Sequence, residues 1–282
     1  MKFASFRHGA AMTYGVAIGD ELVALGSPGR TLRDALAGGV DSLVGAAGRA
    51  LATEARIPVE SVEFLPVIPN PGKIICVGVN YRTHREETGR DEVGHPTIFA
   101  RFADTQIGHG QPAHKPAASN RFDYEGELAV VIGQGCRAVP ASDAYDVIAG
   151  YSCYDDFSAR DWQRHTSQWL PGKNFPGTGG FGPWLVTRDE IPDPGNLDLV
   201  TRVNGEVRQS ASVADLIFGI PELIAYISGF TPLAPGDVIV TGTPGGVGLF
   251  MDPPTFLQAG DTVEVEITRL GTLRNTVVEV TA

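Results

Sequence analysis

Short apolar runs broken by turn residues set the pattern of this chain. KFASFRH, TYGVAI and ELVAL are strand-like, TLRDAL has the spacing of a helical turn, and VDSLVGAAGRALATEA is compatible with a longer helix. PVIPNPG, from Pro66 to Gly72, then punctuates the chain. It separates a small N-terminal α/β domain, residues 1–68, from a larger domain, residues 69–282. In the larger part KIICVGVN and ELAVVIG read as buried strands, and THREETGRDE as a polar helix or a mobile segment. VIAGYSCY leads as a strand into DDFSARDWQRHTS, where an Asp stands at the N-cap of a predicted helix. LVTRVNGEVRQS is a hairpin turning at Asn204-Gly205. PELIAYISGF is a helix with Pro221 at its first position. DVIVTGTPGGVG runs from a strand into a glycine-rich loop, and DTVEVEITRLGTLRNTVVEV closes the chain as two strands. Strands outnumber helices without alternating with them, so the expected class is mixed α+β and strand-rich rather than doubly wound.

Composition narrows the functional classes. The 282 residues include 35 Gly and 20 Pro, as expected of a turn-rich protein with many short strands. There are 22 Lys+Arg against 33 Asp+Glu, a net charge of -11. With no basic run, that balance argues against nucleic acid as a partner. No apolar stretch approaches the roughly 18 residues of a membrane span, and the N-terminus reads as a first strand rather than a signal peptide. Cys76, Cys136 and Cys153 are odd in number, far apart and set in apolar runs. Buried thiols in a reducing compartment, and a cytoplasmic location, are the expectation.

The chemistry concentrates in a few segments. DYEGELAVVIG places Glu125 and Glu127 two apart on a strand, hence on one face. They are either solvent-facing edge glutamates or carboxylates that need a cation, because the strand turns apolar straight after them. Asp155 and Asp156 follow an apolar strand directly, as an N-cap or as a third oxygen ligand. Three such ligands suit Mg²⁺ or Mn²⁺, and the lack of Cys/His clusters argues against Zn²⁺. His84 and Glu87 have i, i+3 spacing, which fits either a solvated pair or a general base oriented by a carboxylate. Lys173 opens the glycine-rich KNFPGTGGFGPW, which, like TGTPGGVG, can bring backbone N–H groups to an anion. Neither continues as a P-loop. The segment Thr83 to His95 is either a lid over substrate or an ordinary exposed helix and loop.

GVNYRTHREE, DYEGELAVVIG, GYSCYDDFSARDWQ, KNFPGTGGFGPW, VNGEVRQ and PGDVIVTGTPGGVG, in that order over about residues 72 to 280, resemble the fumarylacetoacetate hydrolase family. The resemblance implies a catalytic domain of the mixed β-sandwich roll type, commonly a homodimer, behind a small N-terminal domain. It puts metal ligands at Glu125, Glu127 and Asp156, a His84–Glu87 dyad, an active-site Lys173, and pocket residues at Arg160, Gln163 and Thr243. The chain departs from the family in three places. Asp155 stands where Asn is usual and leaves open which aspartate ligates. Pro176 replaces an Asp, and Ala100 to Phe102 replaces a Lys-Pro pair, which brings Arg101 toward the substrate. No ligand or base is lost. The implied activity is metal-dependent C–C hydrolysis of an acylpyruvate or related 2,4-dioxo acid through a metal-stabilised enolate. Oxaloacetate-like decarboxylation, keto–enol or dienoate isomerisation and 2-keto-3-deoxy acid dehydration use the same residues. A non-catalytic metabolite-binding protein is the reading from another class.

Overall fold

The computed structural model describes residues 1–91 and 93–280. Its largest unit is a twelve-stranded sheet. The central strands run, in spatial order, Lys2–His8, Gly179–Thr187, Ile148–Asp156, Gly126–Ile132, Val238–Val240, Ile74–Gly78 and Thr97–Arg101. Neighbours in this series are antiparallel except Val238–Val240 against Ile74–Gly78. A five-stranded sheet packs over it, ordered Glu206–Ser212, Asp198–Val203, Thr262–Ile267, Gly271–Val280 and Ala113–Pro116. The Asn204-Gly205 hairpin forms as read, with Val203 opposite Glu206 and positive φ at both turn residues.

The near-continuous apolar run of Gly126–Ile132 has a direct cause: the strand is buried on both faces. Leu128, Val130 and Ile132 point to one side, where Leu199, Val265, Ile267 and the helix Ile220–Phe230 cover them. Ala129 and Val131 point to the other, with Tyr154, Phe181, Val238 and Val240. Leu32, Leu36, Leu43 and Ala47, from the helices Leu32–Leu36 and Val40–Thr53, belong to that second cluster. Residues 1–68 and 69–282 therefore share a sheet and a core. Phe3 pairs with Leu185 in the ladder, and Ser5 Oγ donates to the Val67 carbonyl at 2.8 Å.

Two local expectations change. Asp155 and Asp156 are not helix caps but the last residues of the strand Ile148–Asp156. The helix after them is a single turn, Arg160–Gln163, because Ser158–Ala159 first pairs with Phe122–Asp123 as a short ladder. The helix holding Pro221 starts one residue earlier, at Ile220, which leaves the proline in a first turn that needs no donor. The lid segment, 83–95, contains residue 92, which lies outside the described residues. Its described part is the helix Arg82–Thr88, ended by Gly89 at φ 63°, and a loop whose His95 ring stacks on Tyr226 at 5.6 Å.

Candidate active site

Strand order brings the carboxylates to one end of the large sheet. Gly126 lies opposite Asp155, so Glu125 and Asp156 flank the same rung. Period two then separates the two aspartates. Asp156 shares its face with Tyr154 and gathers with Glu125 and Glu127: one ligand atom from each lies within 4.8 Å of the others, and all three residues are buried. Asp155 faces the second sheet and accepts the Glu125 backbone N–H at 2.9 Å. The ambiguity between the aspartates thus resolves to Asp156 in the cluster, with Asp155 as its support.

The cations around this cluster are also buried. Lys173 Nζ lies 2.5 Å from Glu125 Oε2 and 2.7 Å from Asp156 Oδ2. Arg160 bonds Glu125 Oε1 at 2.5 Å and Asp123 Oδ2 at 2.8 Å. Arg101 does not reach the cavity, contrary to its expected place at the substrate. Its guanidinium sits behind the cluster, paired with Asp156 and donating to Thr178 Oγ1 at 2.6 Å. Five buried carboxylates (Asp123, Glu125, Glu127, Asp155, Asp156) meet three buried cations (Arg101, Arg160, Lys173), an excess of two negative charges.

That excess shows in the titration behaviour. For Glu125, burial is outweighed by Arg160 and Lys173, which hold its carboxyl down at about 2. For Glu127 the pull of Lys173 is too weak to prevail. Burial, then repulsion from Asp156 and Glu125, push it well above the carboxylate range. Burial alone would lower the Lys173 ammonium, but Asp156 and Glu125 raise it, so it stays charged. Asp155 is pushed up to about 8, mainly by burial. The two-charge excess is met by protons on Glu127 and Asp155, or by one divalent cation. Carboxylate oxygens keep a second lone pair beside each hydrogen bond, so the cluster suits a hard cation such as Mg²⁺ or Mn²⁺. A carboxyl raised from its ordinary value of 3.8 to about 8 loses the protein stability as pH climbs through that window. Asp155→Asn, measured in EDTA, should therefore raise the melting temperature by about 2–8 °C at pH 8 and by clearly less at pH 5. An equal gain at both pH values would show that Asp155 is ionised throughout.

The glycine-rich Thr241 to Gly248 loop does bind anions, but they are the protein's own. Gly242 N–H donates to Glu127 Oε2 at 2.5 Å, and Gly246 N–H to Glu87 Oε1 at 2.5 Å. The N–H groups of Gly248 and Leu249 each reach Asp123 at 2.9 Å. Gly246 has φ 102°, and a Cβ there would stand 2.0 Å from the Arg208 carbonyl oxygen. Glu87 so held sets His84: its Oε2 lies 3.1 Å from Nδ1 of the buried ring, which leaves Nε2 free of that bond. Thr243 Oγ1 donates to the Gly126 carbonyl at 3.0 Å and accepts from Gln209 Nε2 at 2.8 Å.

His84, Glu125, Glu127, Arg160, Gln163, Lys173 and Thr243 all line one cavity of about 260 Å³. Residues the sequence reading missed complete it or stand behind it. Asp123, two before Glu125, orients Arg160, and the DYEGE alternation held that signal. Gln209 fixes Gly126 and Thr243. Arg90, Phe99, Arg164 and Trp169 form a further wall and carried no motif.

The family model for the C-terminal part of fumarylacetoacetate hydrolase matches residues 73–278. The chain belongs to the fumarylacetoacetate hydrolase family. Within this family it is 45% identical over 233 residues to the mitochondrial oxaloacetate tautomerase FAHD2A of Bos taurus, covering 82% of this chain and 74% of that one. A fumarylacetoacetate hydrolase structure from Exiguobacterium antarcticum superposes with TM-score 0.87 at 32% identity, over 99% of this chain and all of the other. A maleylpyruvate hydrolase from Sphingobium sp. SYK-6, in complex with manganese (II) and pyruvate, gives 0.84 at 32%, each chain covered fully. The strand-rich α+β fold is thus that of the fumarylacetoacetate hydrolase family, whose members in this comparison are enzymes.

Proposed function

We propose that this chain is a divalent-metal-dependent enzyme that interconverts the keto and enol forms of a small 2-oxo acid, oxaloacetate first. The observation that carries the reading is the placement of a carboxylate-oriented imidazole, His84, on the same 260 Å³ cavity as Glu125 and Glu127, two members of the Glu125, Glu127 and Asp156 cluster. Those three carboxylates would hold the ion, which when bound supplies Lewis-acid polarisation of the 2-oxo group. Arg160 Nη2 is buried without a hydrogen-bond partner among the described residues, and Arg160 lines the cavity. It is a donor in waiting for the substrate carboxylate. His84 takes the proton from C3. The C3–H electrons form the C2–C3 double bond, the C2 oxygen takes up a proton, and the reverse sequence restores the keto form. Lys173, kept charged by its two carboxylates, adds positive potential beside the developing oxyanion and does not act as a base. The small cavity and the 45% identity to an oxaloacetate tautomerase favour this substrate over a bulky acylpyruvate.

A second reading, C–C hydrolysis of an acylpyruvate, draws on the same dyad. His84 would activate water instead of C3–H, and the likeness to a maleylpyruvate hydrolase supports it. The test is a panel of enol-oxaloacetate, acetylpyruvate, a maleylpyruvate-type dioxo acid and a 2-keto-3-deoxy acid, each with Mg²⁺, Mn²⁺ or EDTA. Metal-dependent decay of the enol absorbance without loss of carbon is the expected result. Release of pyruvate from acetylpyruvate at a higher kcat/KM would move the assignment to hydrolysis. Activity unchanged by EDTA would remove the metal from either reading.

A further inference from the structure

Two guanidinium groups at the mouth of the cavity have no role in holding the carboxylate cluster. Two of the helical turns that carry site residues lead into one each. Past the helix with His84 and Glu87, Gly89 adopts a left-handed conformation and delivers Arg90. The single turn with Arg160 and Gln163 is followed at once by Arg164. Both arginines are exposed, and both line the cavity that holds Glu125 and Glu127. Among the described residues, no ion pair or side-chain hydrogen bond engages either guanidinium.

Arg90 is nevertheless placed. Its Cζ lies 4.9 Å from the Trp169 ring centroid, and Trp169 packs edge-on against Phe99 at 5.5 Å. The indole occupies space left open by Gly78, where a Cβ would stand 2.0 Å from the ring. Lys173 Nζ also lies over Phe99, 5.1 Å from the ring centroid. A chain of two aromatic rings in contact thus runs from a cation at the carboxylate cluster to a cation at the rim, with Arg164 on the same cavity. A wall of this kind fits a ligand with charge at both ends. In a chain of net charge -11, uncommitted arginines at a cavity mouth also give an anionic ligand a favoured approach.

The geometry points to Arg90 and Arg164 as specificity-determining residues that bind a second, distal carboxylate of the substrate, with Trp169 as the positioning residue for Arg90. The preferred class is then a 2-oxo diacid rather than a 2-oxo monoacid, an inference that rests on the 2-oxo acid chemistry proposed above. The test uses matched pairs that differ only in carboxylate against methyl: oxaloacetate with 2-oxobutanoate, and 2-oxoglutarate with 2-oxopentanoate. Metal-catalysed exchange of the C3 protons with deuterated water, followed by NMR in the Mn²⁺-loaded or Mg²⁺-loaded full chain, reads all four. For the wild type we expect a diacid kcat/KM at least about tenfold above that of the matched monoacid, the scale of one charge-assisted hydrogen bond. In R90Q, R164Q and the double variant that ratio should collapse toward one, mainly through a higher KM for the diacid. R90K should recover part of the preference, and Trp169→Leu should behave as a milder R90Q. A ratio unchanged by the double variant, or equal losses on diacid and monoacid, would overturn the inference while leaving the enol chemistry standing. No exchange with any of the four acids by the loaded wild type would remove the enol reading and this inference with it.

Discussion

Glu127→Gln should abolish metal-dependent turnover, lowering kcat/KM by about a thousandfold and metal affinity by at least about a hundredfold, while making the metal-free protein more stable. The opposite signs follow from the position of this side chain. Glu127 is 1% exposed, crowded by Glu125 and Asp156, and its hydrogen bond comes from the neutral Gly242 N–H. Gln keeps the shape and still accepts that N–H, so the fold loses nothing. Burying the carboxyl costs either an opposed charge or the uptake of a proton, and Gln needs neither, which strengthens the metal-free state; Gln also lacks the charge a divalent cation needs. Glu125→Gln is the poorer test, because it also strips Lys173 and Arg160 of an anionic partner in a buried site. Titration with Mn²⁺ and melting curves in EDTA read both halves. Full activity and unaltered metal affinity in Glu127→Gln would take the cluster out of the mechanism.

His84→Ala should lower kcat by about 10²–10⁴ and leave metal affinity within a few-fold of the wild type. The imidazole touches none of the three clustered carboxylates. Its 3.1 Å partner, Glu87, remains held by the Gly246 N–H at 2.5 Å after the ring is gone. The loss should therefore fall on proton transfer alone. Added imidazole should restore part of the rate. Proton exchange at C3 that persists at the wild-type rate would place the base elsewhere.

Much of this site is legible from local pattern, and the rest depends on where distant segments meet. The alternation in DYEGE puts Glu125 and Glu127 on one face, and the apolar run that follows argues for burial of both. The i, i+3 spacing of His84 and Glu87 is equally local, and the helix Arg82–Thr88 realises it. Period two also separates Asp155 from Asp156, once the strand is known to continue through both rather than to end in a cap. Arg101 shows where local pattern runs out. Its strand pairs with Ile74–Gly78, yet its side chain spends its charge on Asp156, fifty-five residues along the chain, and nothing near it in sequence names that partner. Arg90, Arg164 and Trp169 lie in exposed or half-exposed segments with no periodicity, so only the folded cavity wall brings them together. The N-terminal helices read correctly as helices. That they close the same apolar cluster as the sheet that ends in the carboxylates is a tertiary fact.

The buried charge balance makes the site an ion exchanger. With Glu127 pushed toward its protonated form in the absence of metal, uptake of a divalent cation is in part a swap rather than an addition. Acidifying the surroundings should then demand more free metal for the same occupancy. Occupancy so governed ties the catalytic state of the protein to two quantities at once, acidity and free metal.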